Sequence, residues 1–267
     1  MSQPALYVSH GSPMIVLDQS PARSFLEEYG RAWAPPKAII LASAHYEAPG
    51  GPWLASGPAP GMIYDFGGFP DALYRMVYPA PGSPDLAARA AGLLAEAGYA
   101  PKLDPTRGFD HGVWTSLRLM RPQADVPVIS LSIDLAQSPQ WHFNVGRALA
   151  PLREEGVAII GSGSATHNLR AFFTGHYPGG VKGNAWMQDF REWMASEIEA
   201  GRTDDLLAYS ALAPHARDNH PTEDHILPLF VALGAGGPGP GRRIHASVDH
   251  EILAMDAYEF GTTLTAS

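Results

Sequence analysis

Four short stretches of the chain are almost continuously apolar and rich in β-branched residues: ALYVS at 5–9, AIILASA at 38–44, PVISLSID at 127–134 and VAIIGSG at 157–163. Runs of this length without strict alternation predict strands covered on both faces, as in a mostly parallel sheet. Between them lie helical patterns. SPDLAARAAGLLAEAG (83–98) opens on Ser-Pro and closes on Gly, DHGVWTSLRLM (110–120) opens on a capping Asp, and NAWMQDFREWMASEIEAG (184–201) repeats apolar residues every three or four positions. Strand followed by helix, repeated, predicts an α/β fold: a single three-layer domain over residues 1–267, with a central mostly parallel, mixed sheet flanked by helices. The mixed character comes from RRIHASVDHEILAMDAYEFG (242–261), which alternates like half-exposed antiparallel strands and follows the turn-rich GAGGPGPGRR (234–243). Residues 47–70, EAPGGPWLASGPAPGMIYDFGGFP, have little periodicity and much Gly, Pro and aromatic content. A loop of that length in a compact domain is expected to bind something.

Composition narrows the partner. The chain has 267 residues, 45% hydrophobic and 17% charged, enough for a full core in one domain. Its formal net charge of -9, with only 18 Lys and Arg, excludes the clustered positive charge that phosphate neutralisation needs, so no nucleic acid is expected. There is no cysteine, which leaves histidine and carboxylate as the strong metal ligands. No basic-then-apolar leader and no run of membrane-spanning length is present, so a cytoplasmic protein with a small-molecule partner and no membrane is expected, with an oligomer left open.

The candidate chemistry lies in the histidines. Of 11, four fall at the ends of predicted strands or the starts of predicted helices: His10 after ALYVS, His45 after AIILASA, His167 after VAIIGSGSAT, and His225 before ILPLFVALG. In an open α/β sheet, ligands bind beyond the carboxyl ends of the strands, so these ends can deliver several imidazoles to one point. Three protein ligands with open positions are the pattern of a catalytic metal site. The competing reading is four unrelated turn histidines. His111, in FDHGVW, is a fifth candidate, with Asp110 capping its helix. Glu223 and Asp224 are alternatives to His225 as ligands, or occupants of the first turn of the next helix. His142, His176, His215, His220, His245 and His250 stand in polar contexts and are expected at the surface. GSGSATHNL lacks the Lys of a phosphate-binding loop, and neither Ser162 nor Ser164 sits in GxSxG.

Six blocks in order, SHGSPM (9–14), SAHYE (43–47), YDFGGFPDALYRMVYPAPG (64–82), DHGVWTSL (110–117), GSGSATHNL (161–169) and EDHILPLFVALGAGG (223–237), resemble the class III, LigB-like extradiol aromatic ring-opening dioxygenases of the DOPA-dioxygenase type. The resemblance implies a single α/β domain around one divalent metal ion, with His10, His45 and His225 at the ligand positions. His167 matches the acid/base histidine and stands near enough in some members to be a fourth ligand; His111 matches a further active-site histidine. Relatives that cleave protocatechuate carry a glutamate as third ligand, where this chain offers His225. The implied substrates are a catechol and O2, with the aromatic segment around Tyr64, Phe66, Phe69 and Tyr74 as pocket wall. Fe2+ is the metal expected for activity. Zn2+ is redox-inert but binds nitrogen ligands more tightly, and is expected in protein purified in air. Two rival functions remain at this stage: a zinc-dependent hydrolase, since three histidines and a water suit hydrolysis equally, and a non-catalytic binding protein on the same scaffold.

Overall fold

A computed structural model describes residues 2–175 and 184–261. His176 lies outside them. The strands are β1 (Ala5–Ser9), β2 (Ala38–Glu47), β3 (Trp53–Ala55), β4 (Lys102–Asp104), β5 (Val128–Ile133), β6 (Val157–Gly163), β7 (Arg242–His245), β8 (Val248–Asp249), β9 (Leu253–Ala254) and β10 (Ala257–Phe260). Eight form one sheet in the order β4-β3-β5-β2-β6-β1-β10-β7, and β8 pairs with β9 in a small hairpin. The centre, β5-β2-β6-β1, is parallel. Antiparallel pairings occur where β10 joins β1, where β7 joins β10, and where β3 meets β5. The sheet is therefore mixed, as the alternation of the C-terminal segment predicts.

Side chains alternate across the central strands and divide the interior into two layers. Leu6, Val8, Ile39, Leu41 and Ile160 face the helices Pro21–Ala32 and His111–Met120. Ala5, Tyr7, Ile40, Ala42 and Ile159 face the helices Pro84–Glu96, Pro139–Leu149, Ala185–Glu199 and Leu227–Gly236. The patterns and caps predict Pro84–Glu96, His111–Met120 and Ala185–Glu199, but not Pro21–Ala32 or Pro139–Leu149; Ser83 Oγ accepts from Leu86 N, and Asp110 Oδ1 accepts from Val113 N. Leu227–Gly236 has no polar stripe, and every one of its residues is buried. It is a core helix, which explains its uniformly apolar sequence.

One part of the C-terminal expectation needs correction. β7 is half-exposed, but β10 is buried throughout. β10 lies between β1 and β7 and so is an interior strand, not an edge.

Because β1, β2 and β6 run parallel, their carboxyl ends share one edge of the sheet. Leu227–Gly236 starts at that edge. A Cβ on Gly163 would stand 2.0 Å from the His225 carbonyl oxygen, so only glycine lets the end of β6 approach the chain at His225 this closely. Ser164 N and the Tyr7 hydroxyl both donate to that same carbonyl.

Candidate active site

Five histidines meet beyond this edge. The ring centroid of His10 is 5.0 Å from that of His45, 5.3 Å from His111 and 5.3 Å from His225. His45 lies 3.9 Å from His111 and 4.9 Å from His225. His167 stacks on His225 at 3.4 Å and 12°. One nitrogen each of His10, His45 and His111 lie within 4.8 Å of one another, and so do ligand atoms of His167, Asp224 and His225.

Four of the rings are held from behind, His111 by Asp65. Ser162 Oγ donates to the Gly112 carbonyl at 2.6 Å, so its lone pair accepts from His10 Nδ1 at 3.0 Å. His10 therefore carries its proton on Nδ1 and turns a bare Nε2 inward. That atom is 3.1 Å from His45 Nε2. His225 Nδ1 donates to the Asp224 carboxylate. His45 Nδ1 lies 3.4 Å from Asp65 Oδ2. The His45 backbone is pinned from both sides: its N–H donates to Ser43 Oγ and its carbonyl accepts from Arg107. Ser43 and Arg107 are themselves tied to the buried Asp110 at 2.6 Å each. Such partners on the outer ring nitrogen fix tautomer and orientation at metal sites, and the set of inward lone pairs fits a divalent first-row cation.

The surroundings keep the rings of His10, His45 and His167 neutral. Burial first, and then the repulsion of His45, His111 and His225, hold His10 well below the usual imidazole range. Burial and His111 push His45 down to about 2, and burial and His225 push His167 down to about 3. Neutral imidazole is the form that offers a lone pair.

The predicted loop reaches the cluster. Phe66 presents its ring edge-on to His111 at 5.8 Å, and packs against Phe69, Tyr74 and Trp114. Tyr64 stands one ring farther out, against Phe66 and Trp114, with its hydroxyl donated to the Met76 carbonyl. Phe69 packs its ring on Phe66 and, among the described residues, on no histidine ring. Asp65, between two of these aromatics, is a site residue that the pattern reading did not single out. The one signal for it is an acid set among aromatics in a loop that follows a candidate ligand.

Three expectations change. Glu223 and Asp224 precede the first turn of Leu227–Gly236: Glu223 accepts from the Tyr209 hydroxyl, and Asp224 serves His225. His142 and His220 are buried, not at the surface. His142 bridges the Ser138 carbonyl and Asp134 N, and His220 Nε2 bonds the Ala165 carbonyl. His245 is half-buried and stacks on Phe25 at 4.5 Å. Ser162 is no nucleophile candidate, being engaged behind His10. Among the described residues, no helix is long and apolar enough to cross a membrane.

The fold and this cluster have known counterparts. The chain is 41% identical over 262 residues to the 4,5-DOPA dioxygenase extradiol of Portulaca grandiflora, covering 96% of this chain and 95% of that protein. It is 40% identical to the 4,5-DOPA dioxygenase extradiol of Escherichia coli (strain K12), covering 87% of this chain and 84% of the relative. A crystal structure of an uncharacterized protein from Escherichia coli K12 superimposes with a TM-score of 0.79 at 33% identity, over 97% of this chain and 100% of that one. Residues 4–261 match the model of the catalytic LigB subunit of aromatic ring-opening dioxygenase. With a match of that extent over a sheet edge that gathers five histidines, the chain belongs to the LigB family of aromatic ring-opening dioxygenases.

Proposed function

We propose that this dioxygenase performs extradiol cleavage of a DOPA-like catechol, with His10, His45 and His225 holding a single divalent metal ion, Fe2+ in the working enzyme. The observation that carries the reading is the set of ring nitrogens turned into one site, and the choice of His10, His45 and His225 among them follows the family resemblance. His10 and His225 commit Nδ1 to Ser162 and Asp224, and His45 turns Nδ1 toward Asp65, so each is prepared to offer Nε2. Three neutral imidazoles leave the full charge of the ion to an anionic catecholate. When bound, iron supplies the electron path between catecholate and O2 that closed-shell Zn2+ does not provide.

The other side chains prepare the organic substrate. A catechol must give up hydroxyl protons as it enters, and a neutral imidazole accepts one. We assign that base role to His167, which also returns a proton in the later oxygen-insertion step, with His111 assisting. Phe66 lies nearest the histidines, while Phe69 and Tyr64 extend the aromatic wall on which the substrate ring packs. The reading is tested by oxygen uptake of iron-reconstituted protein over a panel of catechols that includes DOPA. One ring-opened semialdehyde per O2 is expected. Turnover of an ester or amide without O2 would replace it with the hydrolase reading.

A further inference from the structure

We propose that Asp65 is a positioning residue that sets the tautomer of His111 and fastens the aromatic loop to the histidine cluster. The proposal deepens the dioxygenase reading and rests on it for the role of His111, though its structural half stands alone. Three contacts carry it. Asp65 Oδ1 accepts the backbone N–H of His111 at 3.0 Å, and Oδ2 lies 2.9 Å from His111 Nδ1. The same Oδ2 is 3.4 Å from His45 Nδ1.

An ionised carboxylate only accepts hydrogen bonds, so the nitrogen at 2.9 Å is the protonated one. His111 then presents Nε2 as a bare acceptor to the site. Geometry puts the carboxyl group in that acceptor role: Oδ1 takes the His111 backbone N–H, and Oδ2 faces the ring nitrogens of both His111 and His45. Its side chain is only 22% exposed although it springs from a surface loop. The second bond, to the His111 backbone, joins the loop to the first turn of the helix His111–Met120. It places Phe66, the next residue, against the His111 ring. One carboxylate thus sets a proton position and a wall position together.

The geometry separates the two duties toward His111, and because Oδ2 also faces His45 Nδ1 any change in iron retention is measured apart from turnover. In Asp65→Asn the backbone N–H of His111 still needs an acceptor, so it holds the amide oxygen. The amide NH2 is then forced toward His111 Nδ1, which must become the acceptor, and the ring proton moves to Nε2. The loop stays docked. In Asp65→Ala both bonds vanish.

The direct test is nitrogen NMR of 15N-histidine-labelled, zinc-loaded protein, with the His111 resonance assigned by a His111→Gln control. Wild type is expected to show protonated Nδ1 and bare Nε2, and Asp65→Asn the reverse. Iron-loaded enzyme is assayed in parallel, per bound iron. Asp65→Asn should lose about 10²-fold in kcat, the lower end of an acid/base contribution, with KM for catechol within about threefold. Asp65→Ala should also raise KM by at least about tenfold, as loss of an aromatic wall requires. An unchanged His111 tautomer in Asp65→Asn, or equal kinetics in Asn and Ala variants, would overturn the proposal. A reversed tautomer in a protein that turns over no catechol would leave Asp65 as proposed and remove the dioxygenase reading instead.

Discussion

Replacing Ser162 with alanine removes a single oxygen that serves two buried partners. Oγ donates to the Gly112 carbonyl at 2.6 Å and accepts from His10 Nδ1 at 3.0 Å, and neither Ser162 nor His10 is accessible to solvent. The variant leaves the buried His10 Nδ1–H without a partner, while the Gly112 carbonyl, inside the helix His111–Met120, keeps its intrahelical bond. An unsatisfied buried group costs about 1–3 kcal/mol, so a loss of that order is expected. For a domain of this size that is a fall of about 2–12 °C in Tm. His10 is also freed to rotate or to shift its proton to Nε2, and loss of such a support lowers metal affinity by about 10–100-fold. Ser130→Ala is the control: Ser130 is equally buried, but its hydroxyl has no hydrogen-bond partner. Urea denaturation of metal-free protein gives the stability difference, and chelator competition with Zn2+ gives the affinity. If Ser162→Ala matches Ser130→Ala in both, the hydroxyl neither satisfies nor orients His10, and the tautomer argument for this ligand fails.

Further outcomes follow from the same geometry. Phe66→Ala should raise the KM for catechol more than Tyr64→Ala or Phe69→Ala, since Phe66 alone of the three packs on a site histidine; equal effects in steady-state kinetics would move the pocket wall elsewhere. His167→Ala should keep its metal, measured by elemental analysis, and lose turnover by about 10²–10⁴-fold. Loss of the metal instead would make His167 a fourth ligand. Acid should destabilise the fold before carboxylates titrate. His142 is held by burial at about 4 against 6.5 for a free imidazole, so the unfolded chain takes up its proton first as pH falls. Its contribution is complete above about pH 6.5 and is lost between there and about pH 4, roughly 3 kcal/mol in all. Denaturation free energies from pH 7 to 4 should show a shallower acid slope in His142→Gln than in wild type.

Much of this architecture is written locally. The strands at 5–9, 38–44, 127–134 and 157–163 are legible because a strand covered on both faces needs a continuous apolar run. Helix starts are legible because Ser83 and Asp110 are caps with few other reasons to precede such patterns. His10 and His45 could be read as site candidates because parallel strands deliver their carboxyl ends to one edge. The rest depends on long-range contact. His142 and His220 sit among polar neighbours in sequence, and only the packing of helix on sheet shows that their rings are enclosed. Asp65 lies in an aperiodic loop whose path is set by where its carboxylate and its aromatic neighbours find partners, 46 residues away at His111. Asp224 is legible as an acid beside a candidate ligand histidine, but its duty toward the ring of His225 depends on the local backbone turn before the core helix.

The central claim is that these histidines form a redox metal centre for oxygen-dependent ring opening. It is tested most directly by loading the metal-free protein anaerobically with Fe2+ or Zn2+ and admitting 18O2 with the catechol that the panel selects. The account predicts ring-opened product carrying two labelled oxygens, one O2 consumed per product, with iron alone. It also predicts that His10→Ala, His45→Ala and His225→Ala each abolish both iron retention and product. Equal oxygen-dependent product from rigorously iron-free zinc protein would contradict it, as would a His225→Ala variant that holds iron and turns over normally.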